Sequence, residues 1–318
     1  MNILKTLKNS YYVPGSDASW IGSAYKRTVY RQVPEFPRLV QIETRTGCNA
    51  SCVFCPISDK ETDVPKGRMT DELFEKIVQE IGKHGTTRRI SPYLTNEPFV
   101  DKTIVDKSRY IKRHVPKAKV VVTTNAGVLF PRVIDDILRD NPFHAIYISM
   151  QGIEKGPYEA TMQGSLVFEE TKQNVEYLVR ERNRLCPGLQ ITVTMVETHL
   201  IDAEAAVRYW RSLGVEAKCT ALENRGGSIV DFDRLSTHKG RLFRDCTRLF
   251  KNAYITFDGD MVLCCADYYR EVVLGNVRDR SIYDVWNSPL AQETRRAFVQ
   301  GNMENNSLCA NCQIAPLM

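Results

Sequence analysis

The stretch Thr46-Gly47-Cys48-Asn49-Ala50-Ser51-Cys52-Val53-Phe54-Cys55-Pro56 sets three thiols on one short loop in the pattern C-x3-C-x2-C. Thiolates are soft ligands that suit iron–sulfur clusters or zinc. On a cubane of four irons, three protein ligands leave one iron open, ready to take a chelating group by its amine and carboxylate and to pass it one electron. A zinc knuckle and three free buried cysteines are the alternative readings. Zinc sites usually close with a fourth Cys or His at short spacing, and none follows here before His84.

Just before the loop, Arg38 to Arg45 alternate as a strand does. The loop therefore leaves the C-terminal end of a first strand, where α/β barrels build their sites. After it, Thr70 is a candidate N-cap, Glu72 lies in the first turn, and apolar residues recur at helical spacing to Val78. Strand candidates follow at 89–94, 119–124, 145–149, 190–195 and 215–222, separated by helical patterns at 103–114, 131–139, 168–184 and 203–213. Six strands alternating with helices specify a parallel α/β sheet with right-handed crossovers, here a partial six-unit barrel. The expected organisation is an irregular arm over 1–37, the barrel over 38–227, and a small α+β unit over 228–318. The second boundary falls at the glycine pair Gly226-Gly227.

The 318 residues carry a formal charge of +5 and ten cysteines. Basic residues are spread rather than striped, which gives no footprint for nucleic acid. No apolar run approaches the roughly 18 to 20 residues of a membrane span, and Met1 to Lys8 lack the apolar run of an export signal. The expectation is a cytoplasmic chain without nucleic-acid or membrane partners, its thiols reduced and held for metal.

With Phe54 just before the third thiol, Cys48, Cys52 and Cys55 resemble the signature of the radical S-adenosylmethionine (SAM) superfamily. The resemblance implies a 4Fe–4S cluster whose open iron holds SAM, a 5′-deoxyadenosyl radical released by reductive cleavage, and a reductase partner such as flavodoxin or ferredoxin. Leu94-Thr95-Asn96-Glu97-Pro98 stands where the family has Gly-Gly-Glu-Pro, so Glu97, with Asn96 beside it, is implied at the SAM ammonium; Thr95-Asn96 replaces the glycines. Ser149 matches the strand-four position that meets the SAM carboxylate. Thr124, Asn125 and Gly127 end strand three and are candidates for the ribose or methionine, with a plain strand-to-helix turn as the other reading, and Phe54 is implied at the cofactor. Gln41 and Glu43 on strand one, and Glu197 and His199 closing strand five, are candidates for bound hydroxyls or amines.

Cys246, Cys264, Cys309 and Cys312 form a second set, C-x12-G-x4-C, a long gap, then C-x2-C. Tyr254 to Cys264 read as a hairpin joined by Asp258-Gly259. This set resembles a twitch domain, a shortened SPASM domain holding one auxiliary 4Fe–4S cluster; a four-thiolate zinc site fits the spacing equally. With Gln313 to Met318 alone following, a second auxiliary cluster is not expected. Cys265, expected to point opposite to Cys264 along the strand, and Cys219 on strand six are candidate hydrogen donors, with plain packing as the bland reading. Arg225, after strand six, is a candidate for positioning substrate with its fork.

The whole pattern, from Leu39 to Cys312, resembles radical SAM dehydrogenases that oxidise aminocyclitols. It implies hydrogen abstraction from a small polar substrate, with the auxiliary cluster accepting an electron. Peptide-modifying SPASM enzymes and redox-neutral epimerases with a Cys donor share these motifs, and the fold does not choose among outcomes.

Overall fold

The computed structural model describes residues 32–58, 64–237, 241–242, 246–303 and 306–314. Most of the expected N-terminal arm lies outside them. In chain order the barrel runs β1 (Leu39–Ile42), α1 (Asp71–His84), β2 (Arg89–Ser91), α2 (Ile104–His114), β3 (Lys119–Thr124), α3 (Pro131–Asp140) and β4 (Ala145–Ser149). It continues with α4 (Lys155–Met162), α5 (Phe168–Leu185), β5 (Gln190–Glu197), α6 (Ala203–Ser212) and β6 (Glu216–Ala221). Strands β1 to β6 pair parallel, each with the next.

Local chemistry accounts for these elements. The Thr70 hydroxyl accepts from Leu73 N at 3.3 Å to start α1, and Gly85, at φ 65, ends it in the left-handed conformation that glycine adopts without penalty. The pleat sends Val40, Ile42, Ile90, Val122, Ile146, Ile148, Ile191 and Val193 into one core with helix residues such as Leu73, Ile77, Ile134 and Val175. The alternate residues, Gln41, Thr123, Tyr147, Ser149, Thr192 and Thr194, are half-buried and give the opposite face a polar lining.

Beyond β6 come α7 (Phe232–Leu235), β7 (Arg241–Leu242), α8 (Arg248–Lys251), β8 (Asn252–Ile255), β9 (Asp260–Val262) and β10 (Val273–Asn276). Then follow α9 (Ile282–Trp286), α10 (Pro289–Gln300), α11 (Ser307–Ala310) and β11 (Gln313–Ile314). The hairpin β8–β9 does not start a sheet of its own. Strand β8 pairs parallel with β1, so one sheet runs β10-β9-β8-β1-β2-β3-β4-β5-β6. Its turn is the expected Asp258-Gly259, with Gly259 at φ 95. Strand β9 ends at Val262, and the chain then folds back, Asp267 N bonding to Cys264 O at 3.1 Å. Cys264 and Cys265 therefore sit in a turn, not on a strand as expected, and pleat alternation does not set their directions.

Candidate active site

The cysteine loop is held from three sides. Glu97 N, in the loop that follows β2, donates to Gly47 O at 3.1 Å. Asn125, just past β3, donates its amide to Asn49 Oδ1 at 2.8 Å and to the Cys48 sulfur at 3.6 Å. On the third side lies α4 with the residues after it, which the sequence reading missed: Val53 N bonds to Thr161 O, Ser51 N to Gln163 O, and Ser165 N to Asn49 O. Gly164 makes this approach possible. A Cβ there would lie 2.8 Å from Ser51 N and 2.9 Å from Ala50 Cα and Asn49 O, and its φ is +86. That glycine, directly after a helical pattern, was the available sequence signal.

Glu97 is a hub, 3% exposed. One oxygen accepts from the Thr124 hydroxyl at 2.7 Å and Phe99 N at 3.2 Å, and the other from Asn125 N at 2.8 Å. Burial outweighs these donors and pushes its carboxyl up to about 7. Asn96 is spent locally, accepting from Leu94 N at 3.0 Å. Ser149, Thr194 and Lys218 share one row across β4, β5 and β6, and the Lys218 ammonium stands 5.2 Å from the Tyr147 ring. Ser149 thus lies on the polar face at the strand end. Cys219 pairs with Met195, and Glu197 with Ala221, which puts both on the opposite face from Ser149. His199 is exposed beyond β5. Phe54 packs with Val53 and Val196 against Leu222, Ile229, Phe232 and Leu235.

The N-terminal thiols are all raised by burial, Cys48 to about 12. Cys55 is also hydrogen-bonded to Tyr268 and faces Arg225. In the C-terminal set, Cys309 is raised to about 12 and Cys312 to about 11, again by burial. Backbone N–H groups two residues on reach sulfurs of both sets: Ala50 to Cys48 at 3.3 Å, Ile57 to Cys55, and Arg248 to Cys246 and Ala266 to Cys264, both at 3.4 Å. Cys265 bonds to Cys264 and packs against Leu94, Tyr254 and Val262. Beside the N-terminal cysteine loop a cavity of about 240 Å³ is lined by Glu43, Cys48, Thr95, Tyr268 and Arg270, among others. Glu43 accepts from the Thr95 hydroxyl at 2.6 Å and is raised by burial. Arg270 is gripped by Asp258 at 2.7 and 2.9 Å.

Residues 42–198 match the model of the radical SAM superfamily, and residues 246–313 match SPASM, an iron–sulfur cluster-binding domain. The chain belongs to the radical SAM superfamily. This radical SAM enzyme binds SAM and a 4Fe–4S cluster through its first domain and an auxiliary iron–sulfur cluster through its second. It is 20% identical, over 86% of its length and 92% of the relative's, to the S-adenosyl-L-methionine-dependent 2-deoxy-scyllo-inosamine dehydrogenase of Niallia circulans. It is 25% identical to the AdoMet-dependent heme synthase of Methanosarcina barkeri, over 57% of this chain and 49% of that one. Among solved structures, BtrN in complex with AdoMet and 2-DOIA superposes with a TM-score of 0.62 at 17% identity, covering 86% of this chain and 92% of that one. Streptococcus suis SuiB bound to precursor peptide SuiA gives 0.65 at 14% identity, covering 97% and 79%.

The donor sets fit such clusters. Buried thiols raised this far do not ionise on their own near neutral pH, and a coordinating metal deprotonates them outright. Among the described residues, no group of three or more Cys, His, Asp or Glu is arranged to hold a single metal ion. No helix among them is long and apolar enough to cross a membrane.

Proposed function

We propose that this radical SAM enzyme oxidises a small polar substrate of the sugar, aminocyclitol or nucleoside class. Cys48, Cys52 and Cys55 hold the SAM-binding cluster, and Cys246, Cys264, Cys309 and Cys312 hold the auxiliary one. The observation that carries the reading is that the auxiliary set has four protein thiols, so it suits electron acceptance rather than substrate ligation. The likeness to a dehydrogenase along 92% of that relative's length points the same way.

SAM, when bound, supplies the 5′-deoxyadenosyl radical that takes the substrate hydrogen, and the protein contributes placement and shielding. Glu97 offers a buried carboxylate to the SAM ammonium, while Thr124 and Asn125 hold that carboxylate in place. Ser149 presents its hydroxyl at the barrel mouth for the SAM carboxylate, with Phe54 packing beside the cofactor. Arg225 lies in the electrostatic reach of Cys55 of the N-terminal loop and of Tyr268, beside Cys265. There it orients a hydroxyl or carboxylate of the substrate. A flavodoxin or ferredoxin supplies the priming electron. Oxidation is favoured over epimerisation by a cysteine donor, because Cys219 faces away from the mouth and Cys265 packs among Leu94, Tyr254 and Val262.

The test uses anaerobically rebuilt, reduced enzyme with SAM and 2-deoxy-scyllo-inosamine deuterated at the carbinol carbon. The expected result is 5′-deoxyadenosine carrying the label, in one-to-one ratio with a ketone. Label arriving from a peptide instead, with none from aminocyclitols or sugars, would replace this reading by peptide modification. Arg225→Ala is expected to lower kcat/KM for the substrate by about 10²-fold while 5′-deoxyadenosine still forms without it.

A further inference from the structure

Directly after β6, one carboxylate stands between two arginines. Arg248 Nη2 donates to both Glu223 oxygens, at 2.7 and 2.9 Å, and Arg225 Nη1 lies 3.9 Å from the same carboxylate. The Glu223 and Arg248 side chains are each 26% exposed, so their attraction is weakly screened compared with a surface pair. The two guanidinium groups face different thiol sets. Arg248 acts on Cys246 and Cys264 of the C-terminal set, whereas Arg225 acts on Cys55 of the N-terminal loop.

The turn that carries Glu223 is itself sewn to the C-x2-C pair. Asn224 Nδ2 donates to Asn311 O at 2.8 Å, Gln313 N donates to Asn224 Oδ1 at 2.7 Å, and Gly226 N–H reaches the Cys312 sulfur. Gly226, at φ +71, lies so close to α11 that a Cβ would stand 2.3 Å from Leu308 Cδ1. The Glu223 backbone therefore has little freedom to drift from the thiols.

We propose that Glu223 is a positioning residue that holds Arg248 as a permanent positive charge beside the C-terminal cluster, raising that cluster's reduction potential. Reduction adds a negative charge to the cluster, and a nearby cation favours the reduced form. An arginine keeps its charge at every working pH, so the effect is constant. The carboxylate's own charge opposes it and is the stronger of the two at Cys312, whereas at Cys246 and Cys264 the guanidinium prevails, and the Arg248 backbone N–H lies 3.4 Å from the Cys246 sulfur. The inference rests on the assignment of Cys246, Cys264, Cys309 and Cys312 to a cluster and is independent of the substrate.

The experiment is an EPR-monitored redox titration of the rebuilt holoenzyme, after iron analysis. About eight irons in the wild type support the cluster assignment, and about four contradict it whatever the variants do. In Arg248→Gln the C-terminal cluster's reduction equilibrium is expected to weaken at least about tenfold, about 59 mV for one electron, with the N-terminal cluster moving less than about threefold. Arg248→Lys restores most of the loss. In a Glu223→Gln background the Arg248→Gln shift shrinks, because the charge is no longer held in place. Equal shifts in Lys and Gln variants, or full additivity with Glu223→Gln, overturn the proposal. Should Arg248→Gln lose the C-terminal irons, Glu223→Gln alone decides: a potential lowered at the C-terminal cluster only supports the proposal, and an unchanged or raised one, as loss of the carboxylate charge by itself would give, overturns it.

Discussion

At the scale of single residues, two positions around the cysteine loop behave in ways their neighbours do not. Gly164 has φ +86 and no room for a Cβ against the backbone of residues 49–51. Gly164→Ala is expected to cost about 1–3 kcal/mol and to cut the N-terminal cluster's occupancy, read as a lower melting temperature and loss of up to about four of about eight irons. Glu97 is the other. Burial raises its carboxyl from 4.5 to about 7, so between those values the folded chain keeps a proton that the unfolded chain has released. The folded state binds more protons there, and its stability is complete below about pH 4.5 and is lost as pH rises through about 7. Melting of the SAM-free protein is expected to fall by about 2–4 kcal/mol across that window. Glu97→Gln removes this part of the slope, and SAM, pairing its ammonium with the ionised carboxylate, offsets it at pH 8. A flat profile for the wild type would contradict the assigned environment.

At the scale of elements, α1 does more than cover the sheet. Its Lys76 donates to Val277 O, Arg278 O and Arg280 O at 2.8, 2.7 and 3.2 Å. One turn on, Glu80 accepts from Ile282 N and Tyr283 N, both at 2.9 Å, and so satisfies the open donors at the start of α9. The first barrel helix thereby clamps the SPASM region. Glu80→Ala is expected to destabilise the protein by about 1 kcal/mol, consistent with a partly exposed carboxylate capping two N–H groups. Lys76→Ala, at an exposed position, should cost less. Urea unfolding in a Trp20→Phe, Trp210→Phe background, where Trp286 alone emits, followed by fluorescence and by far-UV circular dichroism measures both, and a loss confined to the fluorescence transition shows that the clamp, not the barrel, has opened.

At the scale of the whole molecule, β1 delivers the cysteine loop and is an interior strand because β8 covers its free side, Leu39 to Ile42 pairing with Asn252 to Ile255. A chain cut after residue 245 would expose that edge, and an uncovered edge strand is a template for aggregation. The fragment is expected to be insoluble, whereas full-length Cys312→Ala stays soluble and keeps about four irons; a soluble, monomeric fragment would show that β8 is dispensable. The sequence by itself determined what is local. Thiols three to seven residues apart, the bounds of β3 and β4, and the Thr70 cap were legible because pleat period, capping chemistry and loop spacing act over a few neighbours. Only the tertiary structure decided the placement of β8 beside β1, the cradle at Gly164, and the meeting of Glu43 with Phe257, 214 residues away. Glu223 and Arg248, 25 residues apart, belong with these. Strand order and long-range side-chain contacts follow from which apolar faces pack together, and no short-range pattern encodes that choice.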